Sequence, residues 1–283
     1  MPMVSAFRRM VIAVLAAGGV VTASAVASPL EDAQRLFYSG DYDRAASLAL
    51  AERLAGGDTL AASEVRTSAL HFALRRALGR PGGVRDRSAG HRERAWSACA
   101  RCEELLSEFL QELALGRAAA RARLAQTPGD PEALFYLGKL NLNYVWLQAG
   151  TLGRRAGWSE YWEARRSLDA ALAIDPGYVR ARVARALIDY VVDTRVPRGF
   201  RWLLGGGDRR RGLQTVQDAA LAEAPPLVQA EALFALWDLQ VRERHVEDAV
   251  ATARTLARAF PANRELAQFL ARHDRQTDTV SSK

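Results

Sequence analysis

The chain has 283 residues, 49% hydrophobic and 25% charged, a balance that excludes a disordered polymer and leaves ample apolar material for a core. The formal net charge is +7, but only Lys139 and Lys283 are lysines, so 37 of the 39 basic residues are arginine. An arginine excess of this kind reflects base composition as readily as function, so no nucleic-acid partner is read from it.

The first segment has the three-part layout of a secretory signal. Arg8 and Arg9 form the positive region, residues 11–21 the apolar stretch, and Ala25-Val26-Ala27 a small-x-small cleavage site. Cleavage after Ala27 makes Ser28 the mature N-terminus, lowers the charge from +7 to +5 by removing Arg8 and Arg9, and implies a periplasmic or secreted protein. A retained anchor is the competing reading. It has only 17 residues from Val11 to Ala27, interrupted by Gly18, Gly19, Thr22 and Ser24, against a hydrocarbon core about 30 Å thick. Lipidation at the cleavage point lacks a cysteine, the first being Cys99, and Phe7 stands where a twin-arginine signal has Ser or Thr. No later stretch reaches 18 apolar residues, so no transmembrane segment is expected in the mature chain.

Beyond residue 28, Ala, Leu, Arg and Glu dominate and strand-like alternation is nearly absent, which predicts an all-α protein. Prolines follow the predicted helix ends at Pro81, Pro128, Pro176, Pro225 and Pro261, spaced by 47, 48, 49 and 36 residues. Two central units also match internally. A 48-residue shift carries Ala133, Gly138, Ala164 and Ala171 onto Ala181, Ala186, Gly212 and Ala219, all small. Small residues at such positions let two antiparallel helices approach closely.

These residues resemble tetratricopeptide repeats. The first likeness is Leu36, Gly40-Asp41-Tyr42-Asp43, Ala45 and Ala49; the second is Leu134, Leu137, Gly138, Ala164, Leu168, Ala171 and Asp175-Pro176; the third is Leu233, Leu236, Trp237, Ala249, Ala253 and Pro261. The resemblance covers residues 28–57 and 117–273, and residues 58–115 are helical in pattern but without a register. It implies a right-handed superhelical stack of antiparallel helix pairs, a tetratricopeptide-like solenoid with lengthened central repeats. The corresponding organisation is a signal at 1–27, one repeat domain at 28–273 and a flexible tail at 274–283. It also implies a non-catalytic scaffold whose concave surface binds a protein or peptide.

The last repeat is plain, with 12 residues from Trp237 to Ala249, whereas Gly138 to Ala164 and Ala186 to Gly212 each span 26. The 14 extra residues equal about four helical turns. In the first unit they predict longer helices turning near Gly150, Gly153 and Gly157. In the second, Pro197, Gly199 and Gly205-Gly206-Gly207 predict a loop or short extra helix. Such insertions commonly lie on a binding face. Candidate contact residues there are Tyr144, Trp146, Trp158 and Trp162 around the first, and Arg195, Arg198, Arg201, Trp202, Arg209 and Arg210 around the second. The aromatic set could line an apolar ligand pocket or belong to the core. The arginines could contact an anion, an acidic peptide or a membrane surface, or form a solvated loop. An aromatic-lined pocket and the triple glycine are also similar to the T-component subunits of tripartite periplasmic transporters, which implies a ligand-binding accessory as the alternative function. Gly205-Gly206-Gly207 is followed by no Lys-Ser or Lys-Thr and is not a phosphate loop. Asp208 reads as the N-cap of the next helix.

Cys99 and Cys102 stand three apart in a helical stretch. An oxidising compartment favours a disulfide, yet β-carbons at that helical spacing lie about 5–6 Å apart against the roughly 3.5–4.5 Å a disulfide needs. A bond requires the helix to distort or begin there; reduced thiols are the competing reading. Glu103 stands where haem attachment needs His, and His71, His91, His245 and His273 are scattered. No metalloprotease, hydrolase or nucleotide motif occurs, so no catalytic residue, metal or cofactor is expected.

Overall fold

The computed structural model describes residues 28–79, 89–154 and 157–281; the expected signal segment and Pro81 lie outside them. Among the described residues every regular element is helical: α1 (Pro29–Tyr38), α2 (Tyr42–Leu54), α3 (Thr59–Ala77), α4 (Ala89–Ser97), α5 (Cys102–Gln126), α6 (Pro131–Val145), α7 (Trp158–Ile174), α8 (Val179–Arg195), α9 (Arg209–Leu221), α10 (Pro226–Glu243), α11 (Val246–Ala259) and α12 (Arg264–Ser281). A π-helical turn (Trp146–Leu152) extends α6, and a 3-10 turn (Arg198–Leu204) follows α8. The backbone of α12 is helical as far as Ser281, so it includes the described part of the expected tail, and the side chains there are outside the description.

Local sequence sets the helix starts. Asp58 accepts from the amides of Leu60 (2.9 Å) and Ala61 (3.1 Å), Asp130 from Glu132 and Ala133 (both 3.0 Å), and Asp208 from Arg211 (2.9 Å). Each side chain satisfies donors that a helix start otherwise leaves without partners. Pro29, Pro131 and Pro226 sit in first turns, where the missing N–H costs nothing.

The helices pack in neighbouring pairs: α1 with α2, α3 with α5, α6 with α7, α8 with α9, and α10 with α11, with α12 on α11. The repeated small residues lie where the pairs cross. A β-carbon on Gly138 of α6 would lie 2.8 Å from Leu168 Cγ and 3.2 Å from the carbonyl oxygen of Ala164 in α7. One repeat later the glycine is on the opposite helix: a β-carbon on Gly212 of α9 would lie 2.8 Å from the carbonyl oxygen of Ala186 in α8. A third crossing places Gly116 of α5 against Ser63 of α3, where an added β-carbon would sit 2.8 Å from Ser63 Cβ. It registers residues 58–115, which the sequence pattern left open, as one more pair with α4 inserted between its helices.

The first helix of each pair also touches the first helix of the next. Contacts run from α1 to α3, α6, α8 and α10, and α10 touches α1. At this last junction Tyr38 stacks on Phe234 (centroids 5.2 Å apart, 9° between planes) and meets Phe260 at 5.5 Å. The two ends of the chain therefore share one aromatic core. Helix α3 is buried on nearly every face, including Ser63, Glu64, Arg66, Thr67, Ser68 and His71, so polar groups are enclosed within the body.

Candidate functional site

A strongly charged buried site is built from one residue on each of four first helices: Glu64 (α3), Lys139 (α6), Arg180 (α8) and Glu231 (α10). Lys139 Nζ lies 2.6 Å from Glu231 Oε1 and 3.9 Å from Glu64 Oε1; Arg180 Nε lies 2.6 Å from Glu231 Oε2, and its Nη2 2.9 Å from Glu64 Oε2. The four side chains are only 6–17% exposed. The Arg180 guanidinium stacks 4.7 Å over the Phe135 ring, and Glu64 accepts from Ser68 Oγ at 3.0 Å. Asn143 in turn donates to Ser68 at 3.0 Å and to Thr67 at 3.1 Å.

The electrostatics favour the charged forms of Glu231, Lys139 and Arg180. Burial by itself raises the Glu231 carboxyl, but Arg180 and Lys139 outweigh it and hold it at about 2. Burial likewise opposes the Lys139 and Arg180 charges, and the two glutamates overcome it and raise both groups. Two carboxylates and two basic side chains thus face one another, and Glu231, Lys139 and Arg180 are each held toward the charged form. The cluster ties four helices together. The sequence reading missed it, although Lys139 stands inside the apolar run Leu137-Gly138-Lys139-Leu140, and Glu231 between Ala230 and Ala232.

The candidate aromatics divide between two cores. Tyr144 packs with the group containing Phe109, Leu140 and Leu147, and carries the Arg117 guanidinium 5.1 Å from its ring centroid. Trp146 and Trp162 pack on the core containing Tyr161 and Leu168. Trp158 is 55% exposed and meets Trp162 at 6.0 Å, 68° between planes. The π-helical turn also seats Thr151 Oγ1 2.8 Å from Nε2 of the buried His71, whose pKa burial and then Arg75 lower to about 3.

The arginine-rich insertion sorts into used and free charges. Arg201 pairs with Asp193 through both the carboxylate and the backbone carbonyl, and donates to the Val196 carbonyl at 3.0 Å. Arg209 pairs with Glu243 at 3.1 Å. Arg195, Arg198 and Arg210 are exposed, with no carboxylate within 4.0 Å among the described residues. Trp202 is 73% exposed. The sequence reading missed the two residues that fix this segment, Asp193 and Arg165. Arg165 donates to the carbonyls of Leu204 (2.9 Å), Gly205 (2.9 Å) and Gly206 (3.2 Å), and Tyr161 also donates to Leu204 at 2.8 Å. Gly205 and Gly206 take φ values of 73° and 75° to turn the chain toward Asp208.

Cys99 and Cys102 are joined by a disulfide, with their Cα atoms 5.5 Å apart. Helix α5 begins at Cys102, and Cys99 lies in the preceding turn, so the helical spacing that opposes a bond does not apply. Among the described residues no three His, Cys, Asp or Glu side chains are grouped to hold a metal ion, and no helix is long and apolar enough to cross a membrane.

Comparison of the chain with protein-family models, with curated proteins and with solved structures returns no match.

Proposed function

We propose that this chain is an exported, non-catalytic scaffold of the tetratricopeptide kind, a right-handed superhelical stack that recognises a protein or peptide. The repeated small-residue crossings at Gly138 and Gly212 support the repeat reading. The signal-like N-terminus supports export.

The resemblance directs attention to the inner helices, but their charges at Glu64, Lys139, Arg180 and Glu231 are spent on one another. The proposed contact is therefore the surface of the first insertion, with Trp158 as its anchor. The observation that carries this is the exposed Trp158 indole held edge-on against Trp162. A large ring fixed from behind loses little conformational freedom on binding, the property of interface anchors.

The test is a photo-crosslinking residue substituted at the exposed Ser159, beside Trp158, applied in the producing cell and read by mass spectrometry. The expected result is one defined protein joined at that position, lost when the wild-type chain competes and when Trp158→Ala is added to the probe-bearing chain. A retained small molecule in the purified chain, with no crosslinked protein, would support the transporter-accessory alternative and overturn this reading.

A further inference from the structure

The 3-10 turn Arg198–Leu204 has no buried residue, and it exposes both Phe200 (61%) and Trp202 (73%). Two large rings left in water within one short turn are unusual on a protein surface and mark a contact site. The turn is also built to be rigid. Its end is held by Arg165 and Tyr161 through the Leu204, Gly205 and Gly206 carbonyls, and its start by Arg201 on Asp193 and Val196. The Trp202 indole N–H donates to the Gly199 carbonyl at 3.0 Å. The ring therefore carries no unpaired donor into an apolar phase, which removes the main cost of burying a tryptophan. Arg195 and Arg198 flank the rings without carboxylate partners among the described residues.

We propose that this turn seats the protein on an anionic phospholipid surface, with Phe200 and Trp202 at the headgroup–acyl boundary and Arg195 and Arg198 on lipid phosphates. Aromatic rings favour that boundary, and arginine pairs bidentately with phosphate oxygens. Phe200 and Trp202 are 61% and 73% exposed, so both can enter an apolar phase without the turn rearranging. The net positive charge, +7 for the full chain and +5 without Arg8 and Arg9, adds long-range attraction. The site is distinct from the Trp158 contact and does not depend on it, so a scaffold lacking a protein partner would still bind lipid.

The test is flotation of the full chain with vesicles of phosphatidylcholine alone and with added phosphatidylglycerol, at low and high salt. Residues 1–27 are common to every variant, so their contribution cancels in the comparison. The wild type is expected to prefer the anionic vesicles, and salt to weaken that preference. Arg195→Gln/Arg198→Gln should weaken anionic binding roughly twentyfold. Phe200→Ser/Trp202→Ser should weaken it by roughly tenfold or more. These side chains face solvent, so unchanged thermal melting is expected and separates binding from folding. Equal binding by wild type and both double variants would overturn the proposal. So would variants that lose a co-purifying acidic protein while floating as the wild type does.

Discussion

The side-chain amide of Asn263 donates to the backbone carbonyl of Tyr38 at 2.7 Å, across 225 residues of sequence. The same side chain caps α12, its oxygen accepting from Glu265 at 3.0 Å and Leu266 at 3.1 Å. One buried residue thus starts the last helix and fastens it to the first. Asn263→Asp keeps the cap and loses the donor, while Asn263→Ala loses both. The expected cost is about 1–3 kcal/mol for the aspartate and about 1–2 kcal/mol more for the alanine. Urea denaturation gives the order. Equal losses in the two variants would mean that the α12 cap adds nothing beyond the Tyr38 bond.

The Glu64–Lys139–Arg180–Glu231 cluster predicts strong coupling. Glu231→Met leaves Lys139 and Arg180 sharing one buried carboxylate, an imbalance expected to cost about 3–5 kcal/mol. Adding Lys139→Met restores the charge balance and leaves the Arg180–Glu64 pair at 2.9 Å, so the double variant should be more stable than Glu231→Met alone. A double-mutant cycle by chemical denaturation measures this. Additive losses would show that Glu231 and Lys139 act independently.

What the sequence disclosed followed the range of the interaction. Close backbone approach requires small side chains whatever surrounds them, so Gly138, Ala164, Ala186 and Gly212 were legible by spacing alone. The register of helix α3 was not, because a helix buried on nearly all faces carries no polar stripe to mark its inner side. The Asn263–Tyr38 closure leaves no local pattern at all. In the arginine-rich insertion the charges were visible, but their division was not: Asp193 and Glu243, which neutralise Arg201 and Arg209, lie outside the segment. Cys99 and Cys102 turned on a single helix boundary that composition does not locate.

Acid should destabilise the fold in two stages. His71 is buried and neutral, its pKa lowered to about 3 from the ordinary 6.5. The unfolded chain therefore binds an extra proton below about pH 6.5, and stability falls by on the order of 1.4 kcal/mol per pH unit from there toward pH 3. Glu231, held at about 2 against an ordinary 4.5, adds a second loss as pH drops from about 4.5 toward 2. His71→Gln can still donate to Thr151 and does not titrate. It should flatten the dependence between about pH 6.5 and 4.5 and leave the lower stage in place. Denaturant midpoints across this range check the prediction; an unchanged upper slope in the variant would assign that proton to another group.

Arg165 holds the projecting turn from beneath, so its removal should release the turn without unfolding the body. In Arg165→Met the carbonyls of Leu204, Gly205 and Gly206 lose their charged donor, and water can reach them because the segment lies at the surface. The amides of Gly205 and Gly206, which bond to Trp202 (3.1 Å) and Arg201 (2.9 Å), should exchange roughly tenfold faster or more. Amides in α6 and α10 should be unaffected. Native-state hydrogen exchange read by mass spectrometry makes the comparison directly. If protection at Gly205 and Gly206 persists, the Tyr161–Leu204 bond and the Arg201–Asp193 pair are sufficient to hold the turn.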